Sequence, residues 1–155
     1  MIRPITPDDT SALTEVICSS GLFRQEDADS IQAMLDEYHS RKDDDGRHIV
    51  TFVENGSLAA VAYFSPKEFT DRVWELLMIA VTGSHQRQGL GSKLLRAVED
   101  SVRAVNGRLL LIETSDKTSF ERTRLFYQKH GYVEVARIPD YFTDGDGKVS
   151  FIKRL

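Results

Sequence analysis

The sequence predicts one α/β (α+β) domain over residues 1–155, with a mixed central sheet of about seven strands flanked by about four helices. Three observations carry that prediction. Apolar spacing alternates along the chain between strand-like runs and helical stripes. The stretch Ile79 to Leu95 reads as strand, glycine-bearing turn and helix. That helix lies between two apolar strands, Arg72 to Val81 and Arg108 to Thr114, and a strand–helix–strand unit implies a right-handed crossover and a parallel pair.

Each element has a local reason. Ile2 to Ile5 suits a short edge strand, the place where Pro4 is tolerated. Thr6-Pro7-Asp8-Asp9 reads as a helix start: Thr6 caps, Pro7 takes the first position, and acids fill the first turn. Leu13, Val16 and Ile17 form its apolar stripe, and Gly21 ends it. A second helix has Asp27 or Asp29 as cap and Ile31, Met34, Leu35 and Tyr38 as its buried face. Asp43-Asp44-Asp45-Gly46 reads as a charged, solvated turn. His48 to Glu54 and Ser57 to Phe64 form a hairpin around Asn55-Gly56, the signature of a type I′ turn. Ser65-Pro66-Lys67-Glu68 breaks the pattern before the strand from Arg72.

Leu90, Leu94, Leu95, Val98, Val102 and Val105 share one helical face, and Gly107 supplies the C-cap of a helix from Leu90 to Asn106. Leu109 to Ile112 is an unbroken apolar run, as expected of a strand buried on both faces. Ser119 to His130 reads as a further helix ended by Gly131. Tyr132 to Ile138 reads as a strand, Pro139 to Gly147 as a loop, and Val149 to Leu155 as the last strand.

Composition narrows the function. A net charge of −4 disfavours a nucleic-acid binder working by broad phosphate neutralisation. There is no apolar run of about 18 residues, so no membrane partner is expected. The N-terminus lacks an apolar signal core, and the lone Cys18 has no partner for an internal disulfide. Both fit a cytoplasmic location. Cys18 reads as a small core or half-exposed residue of the first helix, with no neighbouring base. His and Cys give no zinc-ligand spacing, so no metal is expected.

The turn after Val81 is the chemical centre. Helix N-terminal N–H groups and the helix dipole favour an anion, and glycines let a phosphate approach the backbone. Arg87 and Lys93 add positive charge. The mononucleotide loop pattern fails, because five residues separate Gly83 from Gly89 and Leu90 follows where a lysine is required. The dinucleotide pattern also fails, because Leu94 occupies the third glycine's place. What stands is Gln86-x-x-Gly89-x-Gly91.

This pattern resembles the acyl-CoA pyrophosphate loop of the GNAT superfamily of N-acetyltransferases. Leu125-Phe126-Tyr127-Gln128-Lys129-His130-Gly131-Tyr132 resembles the family's other signature: an aromatic pair, three residues, a glycine and an aromatic. The resemblance covers most of the chain and implies a three-layer fold with a splayed strand pair. It implies acetyl-CoA as acyl donor, with no metal, and a primary amine of a small molecule or peptide as acceptor, attacking directly in a ternary complex. Ile79, Ala80 and Val81 would pair with the pantetheine arm like an added strand. A bulge near Leu77–Ile79 would open the wedge, and an N–H near Ile79 would meet the oxyanion. Main-chain N–H groups of Gln86, Arg87, Gln88, Gly89, Leu90, Gly91 and Ser92 would hold the pyrophosphate. Tyr127 would protonate the leaving thiolate, since an ordinary phenol, with pKa about 10, keeps its proton at neutral pH. Phe126 reads as a core aromatic beside it.

Glu75, charged within Val73-Trp74-Glu75-Leu76-Leu77-Met78, is the candidate general base, with Glu113 a second choice. His85 reads as an exposed loop residue and His130 as a helix-terminal residue beside its own last-turn carbonyls. Two departures stand out: Phe120 replaces a cofactor-contacting asparagine, and Thr82-Gly83 replaces a proline after the cofactor strand. Asp140 to Gly147 reads as a solvated turn that would wall the acceptor pocket. A homodimer fits the resemblance, although no stretch marks an interface. Two other functions fit the same residues: a non-catalytic acyl-CoA-binding or sensing module, and a nucleotide-binding enzyme using the glycine turn for ATP or NAD.

Overall fold

The computed structural model describes residues 1–42 and 44–155; the first acid of the expected Asp43–Gly46 turn lies outside the described residues. Among the described residues seven strands form one mixed sheet in the order β1-β2-β3-β4-β5-β7-β6, with four α-helices along the chain. The strands are β1 (Ile2–Pro4), β2 (His48–Glu54), β3 (Ser57–Pro66), β4 (Val73–Val81), β5 (Leu109–Ser115), β6 (Val133–Thr143) and β7 (Asp146–Arg154). The helices are α1 (Thr10–Ser19), α2 (Ala28–Ser40), α3 (Leu90–Ala104) and α4 (Glu121–Lys129). Two compact units divide the chain: Met1–Ser65 with Met78–Val98, and Pro66–Leu77 with Glu99–Leu155.

In the first unit β1, β2 and β3 run antiparallel, with Arg3 opposite Thr51 and Thr51 opposite Val61. Asn55 and Gly56 both take positive φ (50° and 80°), the backbone of the type I′ turn the sequence calls for. The core joins Leu13, Val16 and Ile17 of α1 to Ile31 and Leu35 of α2, with Ile49, Val61, Met78 and Ala80 from the strands. A fully buried leucine of this kind contributes about 1.5–3 kcal/mol relative to exposure. The first helix begins as expected, but through a single 3₁₀ turn over Pro7–Asp9. Asp9 accepts from the Thr6 N–H (2.7 Å) and takes a two-pronged bond from Arg3 (2.6 and 2.8 Å), so the cap also anchors β1.

In the second unit β4 and β5 are parallel, from Val73 opposite Leu109 to Leu76 opposite Ile112. β5 then pairs antiparallel with β7 along its whole length. Leu110, Ile112, Val149 and Phe151 are buried.

Three expectations need correction. Pro139 to Gly147 is not a loop: β6 runs on to Thr143 and β7 begins at Asp146. Pro139 is tolerated because β6 is the edge of the sheet, where a missing N–H costs no ladder bond. The irregularity it brings is confined to a register shift between Ile138 and Thr143, with Asp140 at φ 55° bonding the Gly145 N–H (2.7 Å). Val105 lies past the end of α3 and is 56% exposed, so the apolar face stops at Val102. Asn106, not Gly107, takes the left-handed φ (59°) after α3. Gly107 is there for space: a Cβ would sit 2.2 Å from a Val102 methyl and 3.0 Å from the Trp74 ring.

Candidate active site

The turn between Val81 and α3 is built to expose its backbone. Residues 86–89 are exposed, Arg87 and Gly89 take positive φ (63° and 80°), and a Cβ at Gly89 would meet nothing within 4 Å. Alternating left-handed residues turn successive N–H groups toward one concavity, which suits an anion. The Lys93 N–H bonds the Gly89 carbonyl (3.1 Å). Leu90 and Gly91 open α3, where a helix leaves its N–H groups without intrahelical partners. Arg87 and Lys93 flank the turn, and among the described residues neither pairs with a carboxylate.

Two glutamines fix this shape. The Gln86 side-chain amide donates to the carbonyls of Val81 and Ser20 (3.0 Å each), and that of Gln88 donates to the Ser84 carbonyl (3.0 Å). His85 is half-buried rather than exposed: Nδ1 meets Ser84 Oγ (2.8 Å) and Nε2 lies 3.5 Å from Glu54 on β2. Thr82 donates its N–H to the Ala59 carbonyl (3.0 Å), a bond proline could not make. Of the residues expected to meet a cofactor, Ile79 and Val81 are half-buried. Ala80 and Leu90 have buried side chains and offer only main chain. The turn's exposed N–H groups and unpaired cations fit the diphosphate of an acyl-CoA.

In the second unit Tyr127 lies on α4 and is the buried member of the aromatic pair (4% exposed); Phe126, expected in the core, is half-buried against His130. The Tyr127 ring packs 5.9 Å from Tyr132 and 6.0 Å from Phe151. Among the described residues its hydroxyl has no hydrogen-bond partner, and burial pushes the phenol well above its ordinary range. It is therefore a proton donor, not a phenolate, at neutral pH. His130 Nδ1 meets the Phe126 carbonyl (2.8 Å), as expected of a residue closing the helix.

Glu75 sits on β4 with Lys67 Nζ 2.7 Å from its Oε2. Glu113 on β5 is paired through Oε1 with Lys148 (3.0 Å). Lys67 and Lys148 carried no sequence signal: Lys148 reaches Glu113 only through the register of β5 and β7, and Lys67 reaches Glu75 only because the segment before β4 folds back on that strand, its N–H bonding the Val73 carbonyl. Cys18 on α1 is half-exposed, with Sγ 3.8 Å from the Arg24 carbonyl.

The model of the acetyltransferase (GNAT) family matches residues 12–132. A protein from Desulfovibrio desulfuricans assigned to that family is 32% identical, with 99% of this chain and 98% of that chain covered and a TM-score of 0.93. The ribosomal-protein-S18-alanine N-acetyltransferase of Escherichia coli shares the fold at 18% identity (99% and 92% covered, TM-score 0.80). An aminoglycoside 6′-N-acetyltransferase complexed with coenzyme A does so at 18% identity (99% and 96% covered, TM-score 0.77). No curated protein sequence matches the chain. Fold and site together define an acyltransferase. The chain belongs to the acetyltransferase (GNAT) family, whose acyl donor is acetyl-CoA.

Proposed function

We propose that this protein is an N-acetyltransferase moving acetyl from acetyl-CoA to a primary amine of a small molecule or peptide, by direct attack in a ternary complex. The observation that carries the reading is the exposed turn at 86–89, with two left-handed residues and two unpaired cations at the head of α3. Acetyl-CoA supplies the activated acyl group. The N–H groups from Gln86 to Ser92 bind its diphosphate, and the main chain of Ile79, Ala80 and Val81 lies along its arm.

Glu75 is the general base and Tyr127 the general acid. An ammonium acceptor first loses one proton to water. As its nitrogen bonds the acetyl carbon, Glu75 takes the next proton and the carbon–sulfur bond breaks onto sulfur. Tyr127 gives its proton to that sulfur, and the proton on Glu75 returns to Tyr127 through water. The end state is amide and thiol, with both side chains restored. Tyr127 fits because its burial keeps the phenol protonated. Glu75 fits because Lys67 engages only one of its oxygens.

Among the described residues no helix is long and apolar enough to cross a membrane; the reading takes the protein to act in the cytoplasm. The test is a panel of amines with acetyl-CoA, read by thiol release. Transfer to some amine, lost in Glu75→Gln and Tyr127→Phe with acetyl-CoA binding kept, supports the reading. A protein that binds acetyl-CoA and acetylates nothing is a sensing module instead.

A further inference from the structure

One face of the second unit carries a charge cluster with no net charge. Glu75 on β4 stands opposite Leu111 on β5, and Glu113, two residues along, shares that face. β7 places Lys148 opposite Ser115 on the same face. Lys67, from the segment before β4, completes the set. Two ion pairs result, Lys67–Glu75 at 2.7 Å and Lys148–Glu113 at 3.0 Å. They form one cluster: Glu113 and Tyr141 both act electrostatically on Lys67, and Lys148 lies 4.0 Å from the centre of the Tyr141 ring.

Stability does not account for the arrangement. Lys148 is only 8% exposed, and a buried ammonium paired with a carboxylate does no better than apolar packing of the same volume. The cluster does have spare bonding capacity. Among the described residues Glu75 Oε1 and Glu113 Oε2 have no hydrogen-bond partner. The Lys67 side chain is 44% exposed and uses one of its three N–H groups on Glu75. The Tyr141 ring is half-exposed beside them.

We infer that this cluster is the acceptor subsite and selects a zwitterionic amine, a free α-amino acid, over polycationic amines. The inference rests on the acetyl-transfer reading above. An amino acid carries its ammonium and carboxylate on one carbon, so the two charges lie about as close together as Lys67 and Glu75 do. Placed against that pair head to tail, its ammonium meets the open oxygens of Glu75 and Glu113. Its carboxylate meets the spare N–H groups of Lys67. A polycation finds both carboxylates already neutralised by lysines and meets Lys67 as a like charge. The reaction is the one written above, with the amino acid's nitrogen as nucleophile.

The test compares three acceptor sets under saturating acetyl-CoA: α-amino acids, the same amino acids as carboxamides, and polyamines with aminoglycosides. The expected result is kcat/KM at least about tenfold higher for an amino acid than for its amide, since a site built to bond a charged group rejects the analogue lacking it. In Lys67→Gln that preference falls below about threefold, mainly through KM for the amino acid, and in Lys67→Glu it reverses toward diamines. Equal or better use of amides or polycations overturns the inference while leaving acetyl transfer intact. Transfer to no acceptor in any set overturns this inference; the acetyl-transfer reading falls with it when the wider panel of amines, peptides included, also gives no thiol release.

Discussion

The Gln86 side-chain amide donates to the Val81 carbonyl at 3.0 Å, tying the glycine turn to the end of the strand that feeds it. Its second bond, to the Ser20 carbonyl, reaches the end of α1. Gln86 thus serves the turn through its side chain as well as through its N–H. Gln86→Ala removes both bonds, each worth about 1 kcal/mol net. Acetyl-CoA affinity is expected to fall about 5- to 30-fold, and the melting temperature of the free protein by about 4–8 °C. Calorimetric titration with acetyl-CoA checks this; a Kd within twofold of the parent would show that the turn holds its shape without the staple.

Tyr127→Phe keeps the ring contacts with Tyr132 and Phe151 and removes only the hydroxyl. If the phenol is the acid, kcat falls at least about tenfold and acetyl-CoA affinity is kept, as expected for loss of a positioned proton donor. Burial raises the Tyr127 phenol above its unfolded value. Its contribution to stability is therefore fully present below about pH 10, the ordinary tyrosine range, and is lost as pH rises through the folded value. Alkaline unfolding followed by circular dichroism should begin at lower pH in the parent than in Tyr127→Phe. An unchanged kcat in that variant would leave the hydroxyl without a chemical role.

Most of the fold is legible in the sequence because its signals are local. Asn55-Gly56 specifies its own turn, and the apolar run at Leu109 to Ile112 marks a strand, although only Leu110 and Ile112 are fully buried and Leu109 and Leu111 are half-buried. The glycine turn announces itself at a helix start. What is not legible depends on pairing partners far away in the chain. Pro139 and the Asp-Gly pairs look like breakers until β6 is known to be the sheet's edge. Gly107 looks like a cap until Val102 and Trp74 are seen against it. Glu75 and Glu113 are visible as charges in apolar strands. Lys148 becomes the partner of Glu113 only once β5 and β7 are in register, and Lys67 meets Glu75 only through the fold of the segment before β4, so half of the cluster is hidden in the sequence.

Asp9 joins a cap to an ion pair, and its carboxyl lies well below the usual range, chiefly through the Arg3 guanidinium. The sign follows from linkage: this stability is present above about pH 4, the ordinary aspartate value, and fades as pH falls through the folded one. Asp9→Ala strands Arg3 and the Thr6 N–H and should cost about 2–4 kcal/mol at pH 7. For a chain of this size that is a fall in melting temperature of about 5–15 °C. The gap between variant and parent should narrow in strong acid. A constant gap from neutral pH into strong acid would mean that packing, not the charge, is what was lost.

Gly107 separates a conformational role from a spatial one. Its φ lies outside the left-handed region, so alanine would suit the backbone itself. The added methyl would nonetheless sit 2.2 Å from Val102 Cγ1, 2.8 Å from the Val102 carbonyl oxygen and 3.0 Å from the Trp74 ring. Overpacking of this kind costs about 1–3 kcal/mol. Gly107→Ala should therefore lower the melting temperature by several degrees. Combining it with Val102→Ala should recover only part of the loss, because the carbonyl stays in place. Full recovery in the double variant would reduce the clash to the valine methyl alone, and an unchanged single variant would show that the turn after α3 gives way easily.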